Sequence, residues 1–185
     1  MEVNMIKPED IIQFWYSEPM SKHWFKSTPE IDVLICEKYE SLWHDAKLGK
    51  LNSWKESVQG CLALVLLFDQ FPLNMFRGKP ESFSTEAISI ELTLYGIEQG
   101  YDKQIPQSKL SFFYMPLMHS ELMSHQNLSV ERFEQAGLKE NVRFARHHRS
   151  IVEQFGRFPH RNSILGREST QAEIDYLNSE HAFKG

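Results

Sequence analysis

Eight consecutive apolar residues, Cys61 to Phe68 (C-L-A-L-V-L-L-F), constrain this chain more than any other feature. A segment apolar on every side has to be covered on every side, since exposed apolar surface costs about 25 cal/mol per Å². The run therefore predicts one central element with neighbours all around it. Its length alone suits a buried strand as well as a buried helix. Its leucines, Ala63 and the helical periodicity of the flanking segments favour a helix, ending before Pro72. Asp69 follows the run directly, so its carboxylate enters buried surroundings and needs a partner, for which Arg157 or Arg161 is expected.

The rest of the chain reads as helices too. Pro8 starts a short amphipathic segment with Ile11, Ile12, Phe14 and Trp15 inside. Pro29 opens a helix to Leu48, with Gly49 as its stop. Asn52 or Ser53 caps the segment that leads into the apolar run, and Ser84 or Thr85 caps a helix to about Gln99 whose inner set is Ala87, Ile88, Leu92, Leu94 and Tyr95. An aromatic helix starts near Pro106 and stops at Pro116. A helix running to Ala136 carries Leu122 inward, and one from Val142 to Phe155, capped by Asn141, carries Phe144 and His148 inward. Thr170 with Glu173 is a capping box. No segment alternates with period two for long. The expectation is an all-α fold of helices joined by short loops, neighbours antiparallel, forming a single domain over residues 1–185.

Charge narrows the functional classes. The net charge of −5 argues against generic nucleic-acid or membrane-surface binding. Met1–Asp10 lacks signal-peptide character, and no apolar run approaches the roughly 20 residues of a bilayer span. Cys36 and Cys61 form neither a disulfide framework nor a zinc pattern. A cytoplasmic protein without a cofactor is the simplest expectation, because Walker, Rossmann and nucleophile-elbow motifs are all missing.

The arginines are unevenly placed. Six of the eight lie at Arg143, Arg146, Arg149, Arg157, Arg161 and Arg167, a span without lysine. Arginine forks match carboxylates and phosphates. Such a cluster is either a solvated helix face with structural salt bridges or an anion site. The stretch Phe155–Thr170 (F-G-R-F-P-H-R-N-S-I-L-G-R-E-S-T) has the stronger claim to be a site, and Phe68, Phe71, Pro72 and Asn74 echo its Phe155, Phe158, Pro159 and Asn162.

Three blocks also resemble a known bacterial family. They are L-F-D-Q-F-P-L-N-M-F-R-G at Leu67–Gly78, F-Y-M-P-L-M-H-S-E at Phe113–Glu121, and the Phe155–Thr170 stretch. The family is identified only as domain of unknown function number 924, and the similarity extends to Phe14–Tyr16 and Trp24–Phe25. Leu73 departs from its pattern, where arginine is usual, and so does Met118, where Glu or Gln is. The resemblance implies an all-helical, tetratricopeptide-like fold packed as a right-handed superhelix, and implies no activity.

Together these features predict one pocket for a small anion, a carboxylate or a phosphate. Asp69, Gln70, Asn74, Arg77, Arg157, Arg161, Asn162, Arg167 and Glu168 would form its ligand-binding wall. If a reaction occurs, His119 serves as acid or base, Glu121 orients it, and His160 stands near the reacting end. No metal spacing joins His119, His125 and His160. The alternative is a helical-repeat module that clamps an acidic peptide with the same arginines and catalyses nothing.

Overall fold

The computed structural model describes residues 6–185; part of the Met1–Asp10 stretch, residues 1–5, lies outside them. The described residues form nine α-helices, four short 3-10 helices and no strand, so the chain is all-α. The α-helices are α1 (Pro8–Trp15), α2 (Glu18–Ser21), α3 (Pro29–Lys47), α4 (Val58–Met75), α5 (Glu86–Glu98), α6 (Gln107–His119), α7 (Met123–Gln135), α8 (Lys139–Phe155) and α9 (Gln171–Leu177). Two compact units emerge. The first holds residues 6–77 and 81–116, the second residues 78–80 and 117–185.

In the first unit α4 is the axis. Helices α1, α3 and α5 and the 3-10 helix Asn52–Glu56 all pack on it, as the apolar run requires. By length and composition α4 could cross a membrane, but 78% of it is buried against the protein's own elements. Ser57, rather than Asn52 or Ser53, caps it through the Gly60 N–H. The helix also passes straight through Pro72 and ends at Met75. Proline lacks the N–H that would bond the Phe68 carbonyl one turn back. The Thr85 hydroxyl donates to that carbonyl instead at 2.7 Å, while accepting the Trp43 indole N–H at 3.3 Å. Thr85 was expected to cap α5, yet its side chain makes no cap bond. A tertiary partner thus rescues the lost rung.

A second internal proline also leaves its helix unbroken, since α6 continues past Pro116 to His119. The Thr93 hydroxyl lies 3.0 Å from both the Ser89 and the Phe113 carbonyls. The buried residues of α5 are Ser89, Ile90, Leu92, Thr93 and Gly96, whereas Ala87 is exposed. Small residues on this face allow α5 to sit close to Cys61 and Phe113. Aromatic rings fill the opposite side of α4: Phe71 meets Trp15 at 5.5 Å and Tyr39 at 4.7 Å. Trp24 packs on Phe112 at 4.7 Å and donates its indole N–H to the Trp15 carbonyl.

In the second unit α7 and α8 form a hairpin with a three-residue link, residues 136–138. The helix α8 starts at Lys139 rather than at an Asn141 cap, and Phe144 is 46% exposed. Leu122 is 59% exposed, because α7 begins one residue later and leaves it on the entering loop. Gly156 ends α8 with a left-handed φ of 72°, a conformation cheap only for glycine. The Phe155 and Phe68 turns therefore differ. Asp69 stands where Gly156 does, and α4 stays helical for about two more turns, to Met75.

Gly60 tests the crowding at the start of α4. A Cβ there would lie 2.0 Å from the Trp54 carbonyl oxygen and 2.8 Å from Ser57 Oγ. Gly60→Ala should cost at least about 2 kcal/mol by overpacking, despite alanine's better helix propensity. Denaturant unfolding of the variant checks this, and a stabilised variant would contradict it.

Candidate functional site

The predicted site residues fall into two clusters, one in each unit. In the first unit the cluster centres on Asp32, which the sequence reading passed over. Arg77 holds it in a two-pronged grip, Nε to Oδ2 at 2.6 Å and Nη2 to Oδ1 at 3.1 Å. Asn74 Nδ2 donates to Asp32 Oδ1 at 2.8 Å, and Ser27 Oγ donates to the same oxygen at 2.8 Å. Burial would raise the Asp32 carboxyl, but Arg77, Asn74 and Ser27 outweigh it and hold it below the usual carboxylate range. Asn74 and Arg77, expected to bind ligand, thus fasten the start of α3 to the end of α4. Asp69 and Gln70 lie inside α4, where the Gln70 amide donates to the Asp69 carboxylate and to Met115 Sδ.

The second unit holds the Phe155–Thr170 turn, and two carboxylates organise it. Glu173, only 2% exposed, receives Arg157 Nε at 2.7 Å and Nη2 at 2.8 Å. It also accepts the Thr170 N–H at 2.8 Å, closing the expected capping box. Asn162 Nδ2 reaches the same carboxylate at 3.3 Å and Ser169 Oγ at 3.0 Å. The Arg157 bonds lead in pushing the Glu173 carboxyl down to about 2, against the opposing effect of burial. Arg157, one of the two arginines expected for Asp69, is therefore committed to Glu173. Glu168 is exposed, and its main-chain carbonyl accepts from Arg157.

Glu121 is the second organiser. Arg167 meets it with both terminal nitrogens, at 2.8 and 2.9 Å, and the Phe158 N–H donates to it at 2.8 Å. Arg167 Nε also donates to Asn162 Oδ1 at 2.9 Å. Burial raises the Glu121 carboxyl, and the Arg167 and Phe158 hydrogen bonds more than reverse it. Glu121 thus clamps the turn instead of being left free to orient His119. Arg161 donates from Nη2 to the His119 carbonyl at 2.7 Å, and its guanidinium lies 4.7 Å over the Phe158 ring. The remaining arginines pair on exposed helix surface: Arg143 with Glu140, Arg146 with Glu134, Arg149 with Glu153.

The histidines separate into different roles. His148 is buried, and its Nδ1–H donates to the Phe144 carbonyl at 2.9 Å. Burial pushes it down to about 3, as fits the core histidine expected from its position. His160 has a buried Nδ1 without a hydrogen-bond partner among the described residues. Burial first, then Arg161 and His119, push it down to about 4. His125, whose metal role had no supporting spacing, lies 2.9 Å by Nδ1 from the buried Ser120 Oγ. The Ser120 oxygen also accepts the Leu122 N–H, so the pair fixes the entrance to α7. Among the described residues no group of three or more His, Cys, Asp or Glu could hold a metal ion.

Glu173 and Asp32 are the residues missed in sequence. Glu173 had a visible signal, the capping box, which explains one of its oxygens but not the arginine on both. Asp32 gave none, because a first-turn acid is ordinary at any helix start.

The family model described as "Bacterial protein of unknown function (DUF924)" matches residues 11–181. A solved structure of a protein of unknown function from Agrobacterium tumefaciens is similar to this chain at 34% identity and a TM-score of 0.87. The match covers 92% of this chain and 96% of that one. No curated protein matches the sequence.

Two measurements test the site's electrostatics. Glu121→Ala removes the acceptor of two Arg167 bonds and of the Phe158 N–H, so it should destabilise by about 2–3 kcal/mol. Glu121→Gln, which keeps an acceptor for Phe158, should lose less; equal losses in denaturant melts would refute the double role. His148 and His160 both have folded values below the ordinary histidine value of about 6.5. As pH falls the unfolded chain takes up these protons first. Their stabilisation is complete above pH about 6.5 and is lost progressively down to about 4 and 3. Thermal melts between pH 7 and 5 should show falling stability, with a shallower slope in His148→Phe.

Proposed function

Since the chain belongs to the bacterial family of unknown function DUF924, which carries no activity to transfer, we propose from its own residues that the second unit binds a small anion at His160. The ligand class is a carboxylate or phosphate, held by the His160 imidazole with Arg161 and His119 beside it. One observation carries the reading. His160 is a partly buried imidazole whose buried Nδ1 has no hydrogen-bond partner among the described residues, and burial first, then Arg161 and His119, hold its proton off. An anion is the ligand that reverses this, because a negative charge beside an imidazole favours its protonated form.

The neighbouring arginines have a supporting part. Arg157 and Arg167 are gripped by Glu173 and Glu121, so they frame the turn and leave the direct contact to His160. Asn162 joins the two clamps, bonding Arg167 on one side and Glu173 on the other. Asn74 and Arg77 are engaged with Asp32 and stand outside this reading.

The test is a titration with inorganic phosphate and with citrate at constant ionic strength, following the imidazole resonances of His160 by NMR. Saturable shifts, a rise of the His160 pKa from about 4, and their loss in His160→Asn are expected. His160 signals that ignore both anions would overturn the proposal.

A further inference from the structure

The chain after α9 has no helix of its own, yet it lies across His148 and His160. Phe183 meets the His148 ring at 4.5 Å and stands edge-on to His160 at 4.9 Å. Its N–H donates to the Tyr176 hydroxyl at 2.9 Å. Two residues on, a Cβ added to Gly185 would lie 3.2 Å from His160 Cδ2, so the main chain runs directly over the imidazole. Below, Phe158 contacts His148 at 5.5 Å and His160 at 5.7 Å. Phe183 also packs against the small apolar cluster of Ile151, Val152 and Phe158. His160 is thus enclosed between Phe158 and the passing chain.

We propose that Phe183–Gly185 is a strap over His160, and that its release opens the imidazole to solvent and to ligand. This rests on the reading of His160 as the anion site and supplies its gate. The attachment suits a gate, since among the described residues the strap is held by the hydrogen bond from the Phe183 N–H to Tyr176 of α9 and by the Phe183 ring, and the strap itself lies outside any helix. Segments fastened by so few interactions open locally at low free-energy cost. The groups that set the charge at His160 are Arg161 on its own turn, His119 at the end of α6, and Glu121 and Arg167. All remain in place when the strap lifts, so the change at His160 is a change of hydration. Burial is the leading cause of its lowered pKa, and strap release removes part of that burial. While the strap is closed, the apparent affinity for an anion is reduced by the fraction of molecules that are open.

Two variants loosen the strap, one at the Phe183 ring and one at the Phe183 N–H. Phe183→Ala removes the covering ring. Tyr176→Phe removes only the hydroxyl that accepts the Phe183 N–H and keeps the ring, which packs on Phe155 at 5.1 Å. The His160 pKa is read by NMR without any anion, beside a thermal melt, and inorganic phosphate is then titrated. In Phe183→Ala the pKa should rise by about one unit or more toward the ordinary value of about 6.5, and in Tyr176→Phe by less. Phosphate should bind more tightly in both, in the same order. A His160 pKa unchanged in a folded Phe183→Ala overturns the strap, whatever phosphate does. Should Phe183→Ala fail to fold, an unchanged pKa in Tyr176→Phe overturns it equally. A raised pKa with no phosphate binding in any form upholds the strap and defeats the anion reading. A raised pKa with phosphate affinity equal to wild type refutes the gate.

Discussion

Pro72 removes one rung from the helix on which the first unit is built, and the Thr85 hydroxyl replaces it. The Phe68 carbonyl would otherwise be a buried acceptor without a donor, a defect of about 1–3 kcal/mol. Thr85 is itself held by the Trp43 indole, so α3, α4 and the entrance to α5 meet at one hydroxyl. With the rung restored, α4 runs on to Met75 and delivers Asn74 and Arg77 to Asp32. A helix broken at Pro72 would lose that connection and present a quite different polar turn.

The second unit solves a harder local problem, a turn dense in positive charge. Each organising carboxylate satisfies an arginine and the main chain together. Glu121 joins Arg167 to the Phe158 N–H, and Glu173 joins Arg157 to the Thr170 N–H. Half-buried ion pairs of this kind stabilise little when counted as charges alone, because desolvation offsets the attraction. Their effect is on shape: they fix where the chain reverses after Gly156 and where α9 starts. His160 and Arg161 belong to the same turn, and their placement follows from those clamps.

This division also explains why an arginine-rich stretch is so little available for ligands. A fork that grips a carboxylate with two nitrogens has spent its geometry, and Arg77, Arg157 and Arg167 are all in that state. In the same turn His160 Nδ1 is buried without a hydrogen-bond partner among the described residues.

Sequence alone determined the class of fold and several of its working parts. The apolar run required a covered central element, because eight apolar residues have to be hidden from water on all sides, and its leucines and helical flanks made that element a helix. The Thr170–Glu173 capping box and the glycine stop at Gly49 are local rules, complete within a few residues, and both appear in place. His148 fell on the apolar stripe of α8 and is buried there. Only the tertiary structure decided that Pro72 and Pro116 leave their helices unbroken; at Pro72 the donor that compensates the lost rung, Thr85, comes from a distant segment. It alone chose the partners of the arginines, because an ion pair is settled by distance in space: Asp32 lies 45 residues from Arg77, and Glu121 lies 46 from Arg167. It also showed which arginines are occupied, and that among the described residues His23 Nδ1 and His160 Nδ1 are buried without a hydrogen-bond partner. Periodicity does not carry that information, because it records which face a residue occupies and says nothing of what is opposite.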